Sequence, residues 1–446
     1  MATFPKNLIN FCISLLVVLL PTSVLSLYLS VHPAVFIIFF LFFLWILYCL
    51  KEGRIPKIED SFTLLLLFVL ILLISFLSLI FAPPFPSYAY HLGISGLESP
   101  ETVRYYGFFS LLKSLIFAFL ITILISEKGF FLKILKLHII SAFIFSLFGI
   151  GVFLNYIFGG DFNFGLRTGW LAPRIESVSI EPQAFANYLL CVIPFLLMGL
   201  ISKERFLFSK KTLFFYFLVI FIAFILTFST GGYVAFLLML FLFYFFIIFT
   251  SLGNFVEKEK IAIISLILII GVVIFAIVGA NVLKGVFGKF HPESLGFEFF
   301  GDRSPYWKKA FLMMKDRPLL GVGPESYGYF FQKYNNNIPP SQMGLPVLPP
   351  PQNLFLGMGA NIGVFGGIFY FLIFLYLFFK LIRGSQSKDP FVAIFSFSLF
   401  LVLFCLFVQN MAFWTPYAFF LWFFIGLSGA FYRNFITPKL YEKNWN

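Results

Sequence analysis

The sequence predicts an all-α polytopic membrane protein with about twelve transmembrane helices and one long loop that carries short helices. Composition is the first observation: 61% of the residues are hydrophobic and only 11% are charged, whereas ordinary soluble domains are about 25% charged. The second is a series of apolar runs of about 20 residues, the length of a helix that crosses a bilayer. The third is that lysine and arginine gather in alternate gaps between those runs, as they do in membrane proteins of fixed orientation.

Twelve apolar runs are long enough to form spans. The first run follows Lys6, which is also typical of a signal peptide, but its length and the alternation of the later gaps favour a retained first span. The predicted spans are residues 8–29, 32–50, 62–81, 105–126, 137–158, 184–201, 212–229, 233–250, 261–280, 354–379, 391–409 and 417–432.

The gaps between the spans fall into two sets. One set is rich in positive residues and contains Lys51, Arg54, Lys57, Lys128, Lys133, Lys136, Lys203, Arg205, Lys210, Lys211, Lys258, Lys260, Lys380, Arg383 and Lys388. The alternate short gaps contain only Arg104, Arg167 and Arg174. Because positive loops stay in the cytoplasm, we expect both termini to be cytoplasmic and the long loop to face the outside of the inner membrane.

The long loop divides the chain into three segments. Residues 1–280 hold the first nine spans, residues 281–353 form the loop, and residues 354–446 hold the last three spans and a cytoplasmic tail. Loops on a rigid scaffold commonly carry function, so we expect the chemistry on this side; an inert loop folded over the bundle is the alternative.

Two short helices are predicted inside the loop. Ser304 is the expected N-cap and Pro305 the first residue of a helix that ends before Pro318. Its apolar face at helical spacing is Tyr306, Trp307, Ala310, Phe311 and Met314. A glycine-rich turn follows, and then a second short helix from Glu325 to about Tyr334.

Several classes of function are disfavoured by the sequence. The net charge of +12 sets membrane topology and does not point to nucleic acid. The cysteines all lie in apolar runs, so no disulfide is expected. Neither a metal-ligand pattern nor a glycine-rich nucleotide loop after a strand is present, so we expect no metal and no cofactor.

External arginines are the main candidates for substrate binding. Arg174 precedes Glu181, and Arg303 starts the loop helix. A guanidinium group suits phosphate oxygens, and a helix N-terminus adds free N–H groups, so both residues could hold a pyrophosphate. The alternative is that they contact lipid head groups or pair with acids such as Glu176. That alternative is favoured for Arg167.

Two further residues have open roles. Glu181 lies between a polar loop and the apolar helix that begins at Pro182, which suits either a general base or a residue that complements the helix dipole. Lys113 lies about two turns inside the fourth span, from which it either reaches the interface or faces a lipid pyrophosphate.

These residues form an ordered set of motifs on the predicted layout. The set is Arg174 with Glu181, Pro182 and Ala186; Ser229-Thr-Gly-Gly232; Arg303 with Trp307 and Ala310; Pro318-Leu-Leu-Gly-Val-Gly323; and Gln352-Asn353 with Gly363 and Gly366. With twelve spans and a long loop between the ninth and tenth, the chain resembles the bacterial O-antigen ligase and polymerase superfamily of membrane glycosyltransferases.

The resemblance implies a site and a reaction. It implies metal-independent, inverting glycosyl transfer from undecaprenyl-pyrophosphate-linked glycans at the periplasmic face, with Arg174 and Arg303 on the donor pyrophosphate. Ligases of this kind typically have histidine as the base where this chain has Gln352, and often arginine where it has Thr230. The Glu181-Pro182 pair is more similar to polymerases.

We therefore expect a polymerase that joins lipid-linked oligosaccharide repeats. Its substrate-binding residues would include Arg167, Lys113, Trp307, Gln352 and Asn353, and its partners would be the lipid-linked donor, a glycan or lipid-linked acceptor, the bilayer and other polysaccharide-assembly proteins. A ligase that transfers the glycan to lipid A-core or another acceptor is the close alternative. A lipid-linked-glycan flippase or transporter is the alternative from another class, but it would place charged residues along the interior of the bundle.

Overall fold

A computed structural model describes residues 4–22, 32–52, 61–86, 99–168, 173–179, 181–257, 259, 303–334 and 350–438. Within these residues, nine helical segments are long and apolar enough to cross a membrane, which confirms the predicted class of polytopic all-α membrane protein. The predicted span 261–280 and about half of the long loop, residues 281–302 and 335–349, lie outside the described residues. The total of twelve spans and the division into three segments therefore stay predictions.

Fifteen α-helices and one small β-hairpin are the main elements of the described residues. In order they are α1 Phe4–Leu19, α2 Pro33–Glu52, α3 Phe62–Phe81, α4 Pro100–Leu124, α5 Lys128–Ile157, β1 Leu166–Arg167, β2 Arg174–Ile175, α6 Pro182–Leu190, α7 Ile193–Ile201, α8 Lys210–Ile225, α9 Thr230–Phe249, α10 Ser304–Asp316, α11 Tyr327–Phe330, α12 Leu354–Ile362, α13 Val364–Ser385, α14 Pro390–Asn410 and α15 Phe419–Phe431. The two strands are antiparallel.

The centre of the bundle consists of α6, α7, α14 and α15, whose side chains are almost all buried, whereas α2, α3 and α9 expose long apolar faces. Exposed apolar faces are what lipid contact requires of peripheral helices. Rings such as those of Trp422 and Tyr370 fill the interior, with centroids 5.6 Å apart in an edge-to-face pair.

The bundle has two ends with different contacts. The end on which residues 303–334 pack, and at which α4, α9 and α15 begin, is called the loop face below. At the other end, the opposite face, Lys6 forms an ion pair with Glu127 at 2.5 Å, and the Nζ of Lys128 lies 4.2 Å from the ring centroid of Phe391.

The predicted tenth span, residues 354–379, is wrong as a single helix. The chain forms two helices, α12 and α13, that meet at Gly363 with φ +90°. The two helices fold back on each other, because the ring of Phe355 at the start of α12 lies 5.9 Å from that of Phe374 in the middle of α13. Apolar composition alone does not distinguish such a hairpin from one long helix, and α13 by itself is long enough to span.

Two other predicted details differ from the structure. The helix expected at 184–201 is interrupted between α6 and α7, just before Pro194, because proline removes a helical hydrogen bond. The predicted spans 212–229 and 233–250 leave residues 230–232 as the connecting turn. In the structure Ser229 is the N-cap of α9 and residues 230–232 belong to its first turn, so the chain turns at Phe228, where φ is +46°.

Residues 318–323 hold the apex of the α12–α13 hairpin, and we call them the bracket. The amides of Val322 and Gly323 donate to the carbonyls of Ala360 and Asn361 at 2.9 and 2.8 Å. The hydroxyl of Ser78 in α3 donates to the Asn361 carbonyl at 3.1 Å. The glycine-rich motif therefore fixes where α12 lies.

The loop helix α10 agrees with its predicted position but not in every residue of its face. Tyr306, Ala310 and Met313 are buried, whereas Phe311 is 59% exposed. Arg303 rather than Ser304 occupies the N-cap position. The buried face differs from the predicted one because α10 packs against α12 and residues 327–334, and Phe311 lies on the side turned away from them.

Candidate functional site

The last turn of α14 lies where three other helices begin. Gln183, in the first turn of α6, donates from Nε2 to Oε1 of Gln409 at 3.2 Å. A Cβ on Gly231, in the first turn of α9, would lie 3.0 Å from the same Gln409 oxygen. Asn353, the N-cap of α12, donates from Nδ2 to the carbonyl of Met411 at 2.8 Å. The N-termini of α6, α9 and α12 therefore meet around the end of α14 on the loop face.

The β1–β2 hairpin holds Arg174 beside the start of α9. Arg174 is paired with Arg167 across the hairpin, and its Nε donates to the carbonyl of Thr227 at 3.0 Å. Burial and the charge of Arg167 lower the pKa of Arg174, and the acids Glu176 and Glu181 raise it; an arginine remains a cation under these conditions. Arg167 pairs with Glu176, which is the alternative considered for it from the sequence.

Glu181 occupies the N-cap position of α6 in an extended conformation, with φ −143° and ψ 147°. Its side chain makes no capping hydrogen bond, so any stabilisation of α6 by Glu181 is electrostatic and acts through the helix dipole. The carboxylate is close enough to affect the pKa of Arg174. Glu181 therefore combines an acid, a nearby arginine and the positive end of a helix.

Trp307 connects the loop helix α10 with the start of α12. Its indole Nε1 donates to the carbonyl of Gln352 at 3.2 Å, and Gln352 has φ +54°, a conformation that non-glycine residues rarely adopt. The amide of Trp307 donates to the carbonyl of Arg303 at 3.1 Å, so Arg303 lies one turn away. Asn353 accepts from the amide of Leu356 at 2.9 Å. Arg303 and the N-terminus of α12 thus share one part of the loop face.

Lys113 lies in another part of the loop face. Its Nζ is 5.0 Å from the ring centroid of Phe419 at the start of α15, and that ring is 5.0 Å from the ring of His32. His32 contacts the carbonyl of Thr22 at 2.8 Å through Nε2. These contacts place Lys113 beside α2 and α15 rather than beside Arg174 or Arg303.

Glu325 is an acid next to this region that the sequence patterns did not single out. It accepts hydrogen bonds from Trp414 Nε1 at 3.2 Å and from the Tyr417 hydroxyl at 2.9 Å. The ring of Trp414 packs on α12, where a Cβ on Gly357 would be only 2.2 Å from it. Burial raises the pKa of Glu325, and its two hydrogen bonds oppose that effect. In the sequence, the one feature that could have drawn attention to Glu325 is its position directly after the Gly-Val-Gly-Pro turn at 321–324.

The arrangement can bind anions and accept a proton. Helix N-termini present N–H groups and partial positive charge to an anion, and guanidinium groups match phosphate oxygens. A carboxylate at the same place can take a proton from a hydroxyl. Arg174 with Glu181 on one side of α14, and Arg303 with Gln352 and Asn353 on the other, supply these groups.

Residues 215–371 match a family model described as O-antigen ligase. The matched range runs from α8 into α13 and includes Ser229–Gly232, Arg303, the bracket and Gln352–Asn353. Arg174 and Glu181 precede it. No curated protein matches the chain.

Proposed function

Because the chain belongs to the O-antigen ligase and polymerase superfamily, which acts on lipid-linked glycans, we propose that it is a polymerase. In this proposal it joins undecaprenyl-pyrophosphate-linked oligosaccharide repeats at the periplasmic face of the inner membrane. The loop face is then periplasmic and both termini are cytoplasmic, as the distribution of lysine and arginine suggests.

One observation carries the proposal: cationic groups lie on both sides of the end of α14. Arg174 lies beside the starts of α6 and α9, and Arg303 lies near the start of α12 through Trp307. A polymerase binds two substrates that each carry a pyrophosphate at the membrane surface. Two anion-binding groups about the same helix end suit two such substrates.

The proposed reaction is a single displacement with inversion. A hydroxyl of the acceptor sugar attacks the anomeric carbon of the donor, the bond from that carbon to the pyrophosphate oxygen breaks, and undecaprenyl pyrophosphate leaves. Glu181 takes the proton of the attacking hydroxyl. Arg174, on the same side of α14 as Glu181, stabilises the charge that develops on the leaving pyrophosphate, and Arg303 binds the pyrophosphate that the acceptor keeps. The proposed mechanism therefore requires no metal ion.

A ligase is the second candidate, and the description of the matching family model favours it. A ligase would transfer a finished glycan to lipid A-core or another acceptor. Against it, the residue before the α12 N-cap is Gln352, whose amide does not accept a proton at neutral pH.

Gel analysis of surface glycans in a deletion strain of the producing bacterium tests the proposal. We expect the ladder of chain lengths to disappear while single repeats remain attached to their acceptor, and the full-length gene should restore the ladder. Accumulation of full-length chains on the carrier lipid would instead identify a ligase.

A further inference from the structure

Two adjacent amides at the end of α14 differ in how their hydrogen-bonding groups are used. Both polar atoms of the Asn410 side chain have partners nearby in the chain: Nδ2 donates to the carbonyl of Leu406 at 2.7 Å, and Oδ1 accepts from the Thr415 hydroxyl at 2.7 Å. Gln409 is 1% exposed, and its Oε1 accepts from Gln183. Its Nε2 is buried and has no hydrogen-bond partner among the residues that the structure describes.

A second buried amide lies one turn along α6 from Gln183. Asn187 is fully buried, and residues four apart lie on the same face of a helix. In the described part of the chain, neither its Oδ1 nor its Nδ2 has a partner. Buried polar groups are nearly always hydrogen-bonded, so three unpartnered atoms on Gln409 and Asn187 call for a polar partner from outside the described chain.

The position of this amide cluster, Gln183, Asn187 and Gln409, bears on what that partner is. The absence of a side chain at Gly231 brings the start of α9 against it, since a Cβ there would be 3.0 Å from Gln409 Oε1 and 3.2 Å from Gln183 Nε2. Arg174 binds the Thr227 carbonyl just before the α9 N-cap. The cluster is therefore next to the place proposed for the donor pyrophosphate.

We propose that the amide cluster is a saccharide subsite, which binds hydroxyl or acetamido groups of the sugar attached to the pyrophosphate. This inference rests on the proposed function. Each amide presents an uncharged donor and acceptor, which suits sugar hydroxyls. Arginines hold the charged part of the substrate, and the amides recognise the part next to it.

The test uses the full-length protein in proteoliposomes and two probes: undecaprenyl pyrophosphate, and the lipid-linked repeat isolated from the producing strain. Binding of each probe is measured directly, together with the rate of glycan transfer. In Gln409→Leu and Asn187→Leu, binding of the lipid-linked repeat should weaken at least tenfold. Binding of undecaprenyl pyrophosphate should stay within twofold of wild type, because the probe lacks the sugar.

Thermal melting separates a binding role from a structural one. Replacing a buried polar group that lacks a partner with an apolar one is near neutral or stabilising. Asn187→Leu, which removes no side-chain hydrogen bond to a described residue, should therefore melt no lower than wild type. Asn410→Leu is the matched control and should melt lower, because it removes two internal hydrogen bonds.

Either of two results would overturn the subsite. One is unchanged binding of the lipid-linked repeat in Gln409→Leu, and the other is a melting temperature of Asn187→Leu that is lowered as far as that of Asn410→Leu. A wild-type protein that binds the repeat with this dependence on Gln409 but transfers no glycan would contradict the polymerase while leaving the subsite in place.

Discussion

Arg104 and Arg174 lie on the same face of the bundle but use their guanidinium groups differently. Arg104 is 8% exposed; it donates to the carbonyls of Pro83 and Val322 and to the Ser326 hydroxyl. Its guanidinium carbon also lies 3.8 Å from the ring centroid of Phe85. Arg174 is half-buried; its Nε donates to the carbonyl of Thr227, and acids lie within electrostatic range.

The difference indicates two roles for a positive residue between spans: Arg104 belongs to the scaffold, and Arg174 belongs to the site proposed above. Arg104 ties α4 to the bracket, and the bracket ties down the α12–α13 hairpin. Arg174 lies near the starts of α6 and α9, which meet the start of the α12–α13 hairpin at the end of α14. Changes near Arg104 should therefore reduce the amount of folded protein, and changes near Arg174 should reduce activity.

The largest effect is expected from Gly363→Ala in the scaffold region. Gly363 has φ +90°, and a Cβ there would be 2.1 Å from the backbone oxygen of Leu319, which cannot move aside easily. We expect the free energy of unfolding to fall by more than about 4 kcal/mol. The measurement is the amount of folded monomer in size-exclusion chromatography. Gly151→Ala, where the Cβ meets nothing within 4 Å, is the control; equal behaviour of the two variants would argue against the hairpin.

Glu181→Gln should have the largest effect on activity with the fold kept. If Glu181 is the general base, turnover should fall roughly 10²–10⁴-fold, whereas Gln352→Ala should change it far less. Initial rates of glycan transfer measure the turnover, and the melting temperature shows whether the fold is kept. Glu204→Gln on the opposite face is the matched control, and near-normal turnover in Glu181→Gln would remove Glu181 as the base.

Arginine-to-lysine variants compare the scaffold with the proposed site directly. Arg174→Lys and Arg303→Lys should each lower activity at least tenfold at normal protein level, because a charge-assisted hydrogen bond contributes roughly 1.5–3 kcal/mol. Arg104→Lys should instead lower the melting temperature, since lysine cannot reproduce its fork of donors. Arg383→Lys, exposed on the opposite face, should change neither. Full activity in Arg303→Lys would leave that residue only a general charge role.

The smallest effect concerns Glu325 and pH. Because burial raises its pKa in the folded protein, Glu325 contributes stability below its unfolded pKa near 4.5 and loses that contribution as the pH rises through the raised value. The slope is at most about 1.4 kcal/mol per pH unit. Melting temperatures measured from about pH 4.5 upward should decline less steeply with pH in Glu325→Gln than in wild type. An equal dependence on pH in the two proteins would mean that the carboxyl group is not buried in solution.

Much of the fold followed from patterns that are local in the chain. Apolar runs located most of the described helices, and the Ser-Pro pair at 304–305 located the start of α10 to within one residue. Arg174, Glu181 and Arg303 could be selected because an arginine or acid beside an apolar helix is visible without coordinates. Phe311 was misassigned because the side of α10 that is buried depends on α12, which is distant in sequence.

The sequence by itself determined the membrane class, the positions of most spans, the asymmetry of charge between the two ends and the candidate arginines. Each of these depends on composition or spacing within about 20 residues. Only the tertiary structure decided that 354–379 folds as a hairpin at Gly363, that Arg104 belongs to the scaffold, and that Gln409 meets Gln183. Those results depend on contacts between residues far apart in the chain, where an amide or a glycine gives no local signal of the partner it will meet.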